Sequence, residues 1–179
     1  MRFTKYRILF AWDFEKEEKW LNEMSAKGMQ LVGVGIFKYI FEEGNPGEYS
    51  YRIELLEELP THPESIAYIR FMEDTGAEHI ASILRWVYFR KKTSRQAFDL
   101  FSDIDSRINH LKKVLWLLGS VIPLEITAIS LNMPGVFNGY PSNIFIICLL
   151  SAIFALLLYG FINLCLKLKS LKKERLICE

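Results

Sequence analysis

Two stretches decide the fold: Trp20–Val32, WLNEMSAKGMQLV, and Tyr68–Ile80, YIRFMEDTGAEHI. Aligned on Gly28 and Gly76, they match Trp20 with Tyr68, Leu21 with Ile69 and Met24 with Met72. Positions spaced i, i+1, i+4 form one apolar stripe on a helix. The glycine just past each stripe is where a left-handed C′ residue ends a helix. Beyond it, VGVGIFKYIFEE matches IASILRWVYFRK, both rich in the β-branched and aromatic residues that favour strands. Each copy reads as a helix, a glycine stop and a strand.

The flanks extend the pattern. Asp13 is placed to cap the first helix, with Glu15, Glu17 and Glu18 at its positive end. Thr61-His62-Pro63-Glu64 has capping-box spacing, with proline in the first turn. FTKYRILFAW precedes the first helix and GEYSYRIELL the second, each a strand candidate, and EEGNPGEY between the halves is a turn. The order strand, helix, strand, strand, helix, strand is the ferredoxin-like βαββαβ plan of an α+β domain. Two helices on one face would bury Trp20, Leu21, Met24, Ile66, Ile69 and Met72 against a four-stranded sheet. Alternation along the strands then assigns Arg7, Arg52, Trp86, Tyr88 and Arg90 to the uncovered face. Gly33 and Gly35 predict a bend or bulge in the second strand.

The C-terminal third has a different character. Residues 114–133, VLWLLGSVIPLEITAISLNM, hold one ionisable group, and residues 144–166, IFIICLLSAIFALLLYGFINLCL, hold none. Each is about the twenty residues that a helix needs to cross a bilayer. Arg107, Lys112 and Lys113 precede the first span, five basic residues from Lys167 to Arg175 follow the second, and loop 134–143 has no Lys or Arg. The positive-inside rule therefore predicts a multi-pass protein of the cell membrane with both termini cytoplasmic. The chain divides into a cytosolic domain with linker (1–101), a juxtamembrane helix (102–113), two spans (114–133 and 144–166) joined by an extracytoplasmic loop (134–143), and a basic tail (167–179). Ser102 caps the juxtamembrane helix, with Asp103 and Asp105 at its positive end. Nothing breaks the run from there into the first span. Phe98, Leu100 and Phe101 form a short apolar patch in the linker.

Charge and motifs narrow the function by exclusion. Residues 1–113 carry 17 Lys+Arg and 18 Asp+Glu, a net of −1, which gives no basic footprint for nucleic acid. The tail from Lys167 carries five basic and two acidic residues, a net of +3 suited to an anionic inner leaflet. His62, His79 and His110 have no metal-ligand spacing around them. There is no nucleophile elbow, phosphate-binding glycine loop or metal-binding cysteine pair. These residues predict no catalytic site, metal or cofactor. Two candidates remain. The sheet face with Arg7, Arg52, Trp86, Tyr88 and Arg90 combines cations with aromatics, as binding hot spots do. Glu125, in VIPLEITAI, is an ionisable group in mid-span, where insertion costs about 2.5–3.5 kcal/mol.

Residues 1 to about 112 resemble the bacterial domain of unknown function 2812 family. The resemblance rests on FEKEEKWLNEMSAKG, FEEGNPGEYSYRIELL, the pair FMEDTG and WVYFRKK, and FDLFSDIDSRI. Met29 stands where an aromatic residue usually follows the glycine in that pattern. The resemblance implies two hydrophobic spans after the domain and genes often placed beside PadR-type transcription regulators. It assigns no activity. The expectation is a non-enzymatic regulatory or sensory module that binds a protein or small ligand through its cytosolic domain. The alternative is an accessory subunit of a membrane transporter complex. A transcription regulator or a transporter is accordingly the expected protein partner, beside the bilayer itself, and homo-oligomerisation stays open.

Overall fold

The computed structural model describes residues 1–93 and 104–178. The apolar linker patch at Phe98, Leu100 and Phe101, and the Ser102 cap with Asp103, lie outside the described residues. The chain forms two compact units, Met1–Ser102 and Asp103–Glu179.

The first unit is α+β, with six strands where four were expected. Its first half runs β1 (Arg2–Tyr6), a 3-10 turn (Ala11–Asp13), α1 (Phe14–Ala26), β2 (Met29–Gly35) and β3 (Lys38–Glu43). Its second half runs β4 (Tyr49–Leu55), α2 (Pro63–Asp74), β5 (Glu78–Ile83) and β6 (Trp86–Lys92). Each half is an antiparallel three-stranded sheet, ordered β1-β3-β2 and β4-β6-β5. The ferredoxin-like single sheet is thus replaced by a duplicated strand–helix–hairpin unit. The single strand expected after each glycine folds back on itself at Ile36-Phe37 and at Leu84-Arg85. Two-residue turns of this kind are usually marked by Asn-Gly or Asp-Gly. Here Phe37 (φ 56°) and Leu84 (φ 54°) take the left-handed conformation instead, without the usual marker.

Gly28 and Gly76, at φ 78° and 86°, end α1 and α2 as their positions predict. The caps differ from expectation. The Asp13 carboxylate pairs with Lys16 at 2.5 Å and bonds no helix N–H. His62 occupies the N-cap of α2, so Pro63 is its first residue and Thr61 lies outside. The expected irregularity at Gly33 is a register shift between Leu31 and Gly33, repeated 48 residues on between His79 and Ala81.

One core cluster joins Leu21 and Met24 of α1 to Leu31, Tyr39 and Phe41 of the first sheet and to Tyr51, Ile53 and Tyr88 of the second. A smaller cluster packs Met72, Leu56 and Ala77 against Val87 and Phe89. β6 is therefore buried on both faces, and truncating a side chain such as Phe89 to alanine would cost about 3–5 kcal/mol. Ile66, expected in the core, is 37% exposed.

The outer edge of β4 is closed by side chains of α1. Asn22 Nδ2 donates to the Tyr51 carbonyl at 3.1 Å while its Oδ1 accepts from the Tyr51 N–H at 2.8 Å. Glu18 accepts from the Ile53 N–H, and the Ser25 hydroxyl donates to the Tyr49 carbonyl. At the outer edge of β2, the Tyr51 hydroxyl accepts from the Leu31 N–H at 2.8 Å. Edge strands otherwise offer free backbone groups to other chains; here polar side chains occupy them.

The second unit is a helical hairpin, α3 (Ile104–Phe137) and α4 (Pro141–Cys178). Both helices are long and apolar enough to cross a membrane. The turn between them is residues 138–140, much shorter than the expected loop 134–143, because helical structure continues through Pro134 and resumes at Pro141. A Cβ at Gly135 would lie 2.3 Å from Asn143 Cγ, so glycine permits that close approach. The basic residues from Lys167 to Arg175 lie on α4 itself, and Arg175 pairs with Asp105 of α3 at 2.9 Å. His110 is buried, and burial together with Lys113 pushes its imidazole down to about 4.

Candidate functional site

The buried stripe of α1 runs Phe14, Glu17, Leu21, Met24. Three of these are apolar, as helical periodicity requires; the fourth is a carboxyl. Glu17 is only 7% exposed. Tyr39 from β3 and Tyr88 from β6 both donate their hydroxyls to its Oε1, each at 2.8 Å. Among the described residues, Oε2 receives no hydrogen bond, and no Lys, Arg or His forms an ion pair with Glu17. Burial raises the Glu17 carboxyl above its ordinary range, opposed by the bonds from Tyr88 and Tyr39 and by the field of Arg7. The same burial, with the carboxylate beside them, holds both tyrosines far above the ordinary phenol range. They are fixed as neutral donors.

Above this group opens a cleft of about 290 Å³. Leu9, Phe10 and Phe14 form one side, from the segment after β1 and the start of α1. The two hairpin tips form the other, with Ile36 and Phe37 from one and Ile83 and Leu84 from the next; Trp86 lies beside them, with its ring 5.8 Å from that of Phe14. The two left-handed residues, Phe37 and Leu84, are both on the rim. Bulky side chains held in that conformation cost about 1–2 kcal/mol each, and such outliers concentrate at functional sites.

The five residues assigned to an open sheet face do not share one. β4 and β6 pair Tyr51 with Arg90, Arg52 with Phe89, Ile53 with Tyr88 and Leu55 with Trp86. Arg52 therefore lies on one face and Trp86, Tyr88 and Arg90 on the other. That second face is covered: Tyr88 is 5% exposed, in the core beside Ile53 and Leu21. Arg90 pairs with Glu78 at 2.7 Å and lies over the Tyr49 ring, and Arg52 pairs with Glu18 at 3.0 Å. Arg7, beyond the end of β1, stacks over Trp20 at 4.9 Å. Only Trp86 and Tyr88 reach the cleft. Glu17, Tyr39, Phe14 and Phe37 were missed. The available signal was Glu17 itself, three residues after Phe14 and four before Leu21, an ionisable group in register with an apolar stripe.

Glu125 lies on α3, with Oε1 buried and without a hydrogen-bond partner among the described residues. Among the described residues no three His, Cys, Asp or Glu side chains converge as a metal site would require.

Fold and cleft together define a class: a duplicated strand–helix–hairpin domain with an apolar, carboxyl-floored cavity, followed by a long helical hairpin. The chain belongs to the family described as protein of unknown function (DUF2812), whose model matches residues 13–122, from α1 into α3. No curated protein and no solved structure matches the chain.

Proposed function

We propose that the first unit is a non-enzymatic module that binds a small apolar molecule in the cleft above Glu17. The hairpin holds it at a membrane as a sensory or regulatory protein, with both termini cytoplasmic. The observation that carries this reading is the cleft's lining, an almost wholly apolar wall around one positioned carboxyl, the usual make-up of a small-molecule site. The membrane part is supported by the outward-facing side chains of the hairpin: Leu124, Leu131 and Phe145 are each at least 70% exposed, and helices this apolar do not suit water. Regulation would run from the occupied cleft to a cytosolic partner such as a transcription regulator.

Incorporation of 5-fluorotryptophan into the full chain in lipid nanodiscs provides the test. Naphthalene should shift the Trp86 fluorine resonance saturably, and Phe37→Asp, which puts a charge on the rim, should abolish the shift. A shift that grows without saturation, or none, removes the cleft as a binding site.

Glu125 favours a second reading, an accessory subunit of a membrane complex, because a partner helix could supply the bond that Oε1 lacks. Glu125→Leu would then release the chain from the complex with which it co-purifies. Undiminished co-purification would discard this reading.

A further inference from the structure

Building on the cleft as a binding site, we propose that its ligand is an organic cation, an aromatic or aliphatic body bearing an ammonium group that lies against Glu17 Oε2. The geometry carries the charge sign. Both neighbouring hydroxyls spend their protons on Oε1, which leaves Oε2 the one carboxyl oxygen without a donor. A carboxylate in an apolar surround calls for a countercharge. The nearest fixed one, Arg7, is held over Trp20 and acts on Glu17 only through space. The wall adds a second, independent term. Phe10, Phe14, Phe37 and Trp86 line the same cavity, and aromatic faces attract ammonium groups, most strongly when desolvated.

The size of the cavity is consistent with a small guest. A volume of about 290 Å³ lies just below the range of ordinary ligand pockets, about 300–1,000 Å³. An anionic guest would meet a carboxyl oxygen with no positive group beside it. A neutral guest would leave Oε2 as it is. The titratable and charged groups acting on Glu17 are Tyr88 from β6, Tyr39 from β3 and Arg7 from the segment after β1. Both tyrosines stay neutral across the working range, so Glu17 is the group of the three that titrates. Cation affinity should therefore rise with pH as Glu17 ionises, from a threshold above the ordinary carboxyl range.

The test compares benzyltrimethylammonium with its uncharged carbon isostere, neopentylbenzene, at equal free aqueous concentrations. The readout is the Trp86 fluorine resonance of the full chain in nanodiscs. The cation should bind roughly tenfold tighter, lose that advantage as pH falls, and lose it in Glu17→Gln. The isostere should bind both proteins equally at every pH, which also shows that the variant folds. Equal affinity for the two compounds in the wild-type protein overturns the cation proposal and leaves the cleft standing. A cation advantage that survives Glu17→Gln overturns the role of Glu17. No saturable response to either compound removes the cleft reading, and the cation with it.

Discussion

Glu17 is kept in place at a cost to the folded chain. A carboxyl whose folded pKa is raised above its unfolded value binds its proton more tightly in the native state. Its contribution to stability is therefore full below the unfolded value, about 4.5, and is lost as pH rises through the folded one. At neutral pH, ionisation of Glu17 opposes folding. Gln keeps the oxygen that Tyr39 and Tyr88 bond and removes the charge. Glu17→Gln should thus stabilise the protein at pH 7, because the amide has no ionised form to bury. Thermal unfolding followed from pH 4 to 8 would show the gain growing with pH. A gain that is absent or pH-independent would mean that the charge carries no penalty. The equivalent position in the second copy, 48 residues on, is Ser65, which is buried and donates to the Glu58 carbonyl. Only one of the two halves carries the carboxyl, which is expected of a site and is not required by the fold.

At the scale of elements, the helices and their stops could be read from sequence because their signals are local. Leu21, Met24, Ile69 and Met72 repeat at helical spacing, and Gly28 and Gly76 stand where only a left-handed residue fits. The hairpins could not be read so easily, because Phe37 and Leu84 occupy turn positions that normally advertise themselves with glycine or asparagine. Without that marker VGVGIFKYIFEE looks like one long strand. The missed turns then propagated. Four strands imply one sheet with a free face, whereas six make two sheets, with the edge of β4 covered by Glu18, Asn22 and Ser25 and the core on both sides of β6. Alternation within β6 was correctly read, but the polarity of its faces was not, since Tyr88 and Arg90 are amphipathic and pack inward when their polar ends find Glu17 and Glu78. The cleft assembles from residues far apart in sequence, Phe14, Tyr39, Leu84 and Tyr88, and no window on the chain contains them together.

For the whole molecule, the decisive quantity is the length of the hairpin against the thickness of a bilayer. Residues 114–137 of α3 rise about 36 Å and residues 141–166 of α4 about 39 Å, at 1.5 Å per residue. Each exceeds the hydrocarbon core of about 30 Å by only a turn or two. The two helices therefore match one another. One end of each carries its lysines, Lys112 and Lys113 on α3 and Lys167 and Lys169 on α4. At the other end a three-residue turn, exposed and without a charged side chain, joins them. In the proposed membrane arrangement, a hairpin so built would place the turn at the far headgroup layer and both termini on the positive-inside face. In a variant with Cys148, Cys165 and Cys178 replaced, Asn138→Cys should react with a membrane-impermeant maleimide in intact cells. Thr93→Cys, at the end of β6, should react only after permeabilisation. Labelling of both in intact cells, or of neither, would contradict the topology. Labelling of Thr93→Cys in intact cells would also leave the cleft facing a compartment other than the cytosol, and with it any partner proposed there.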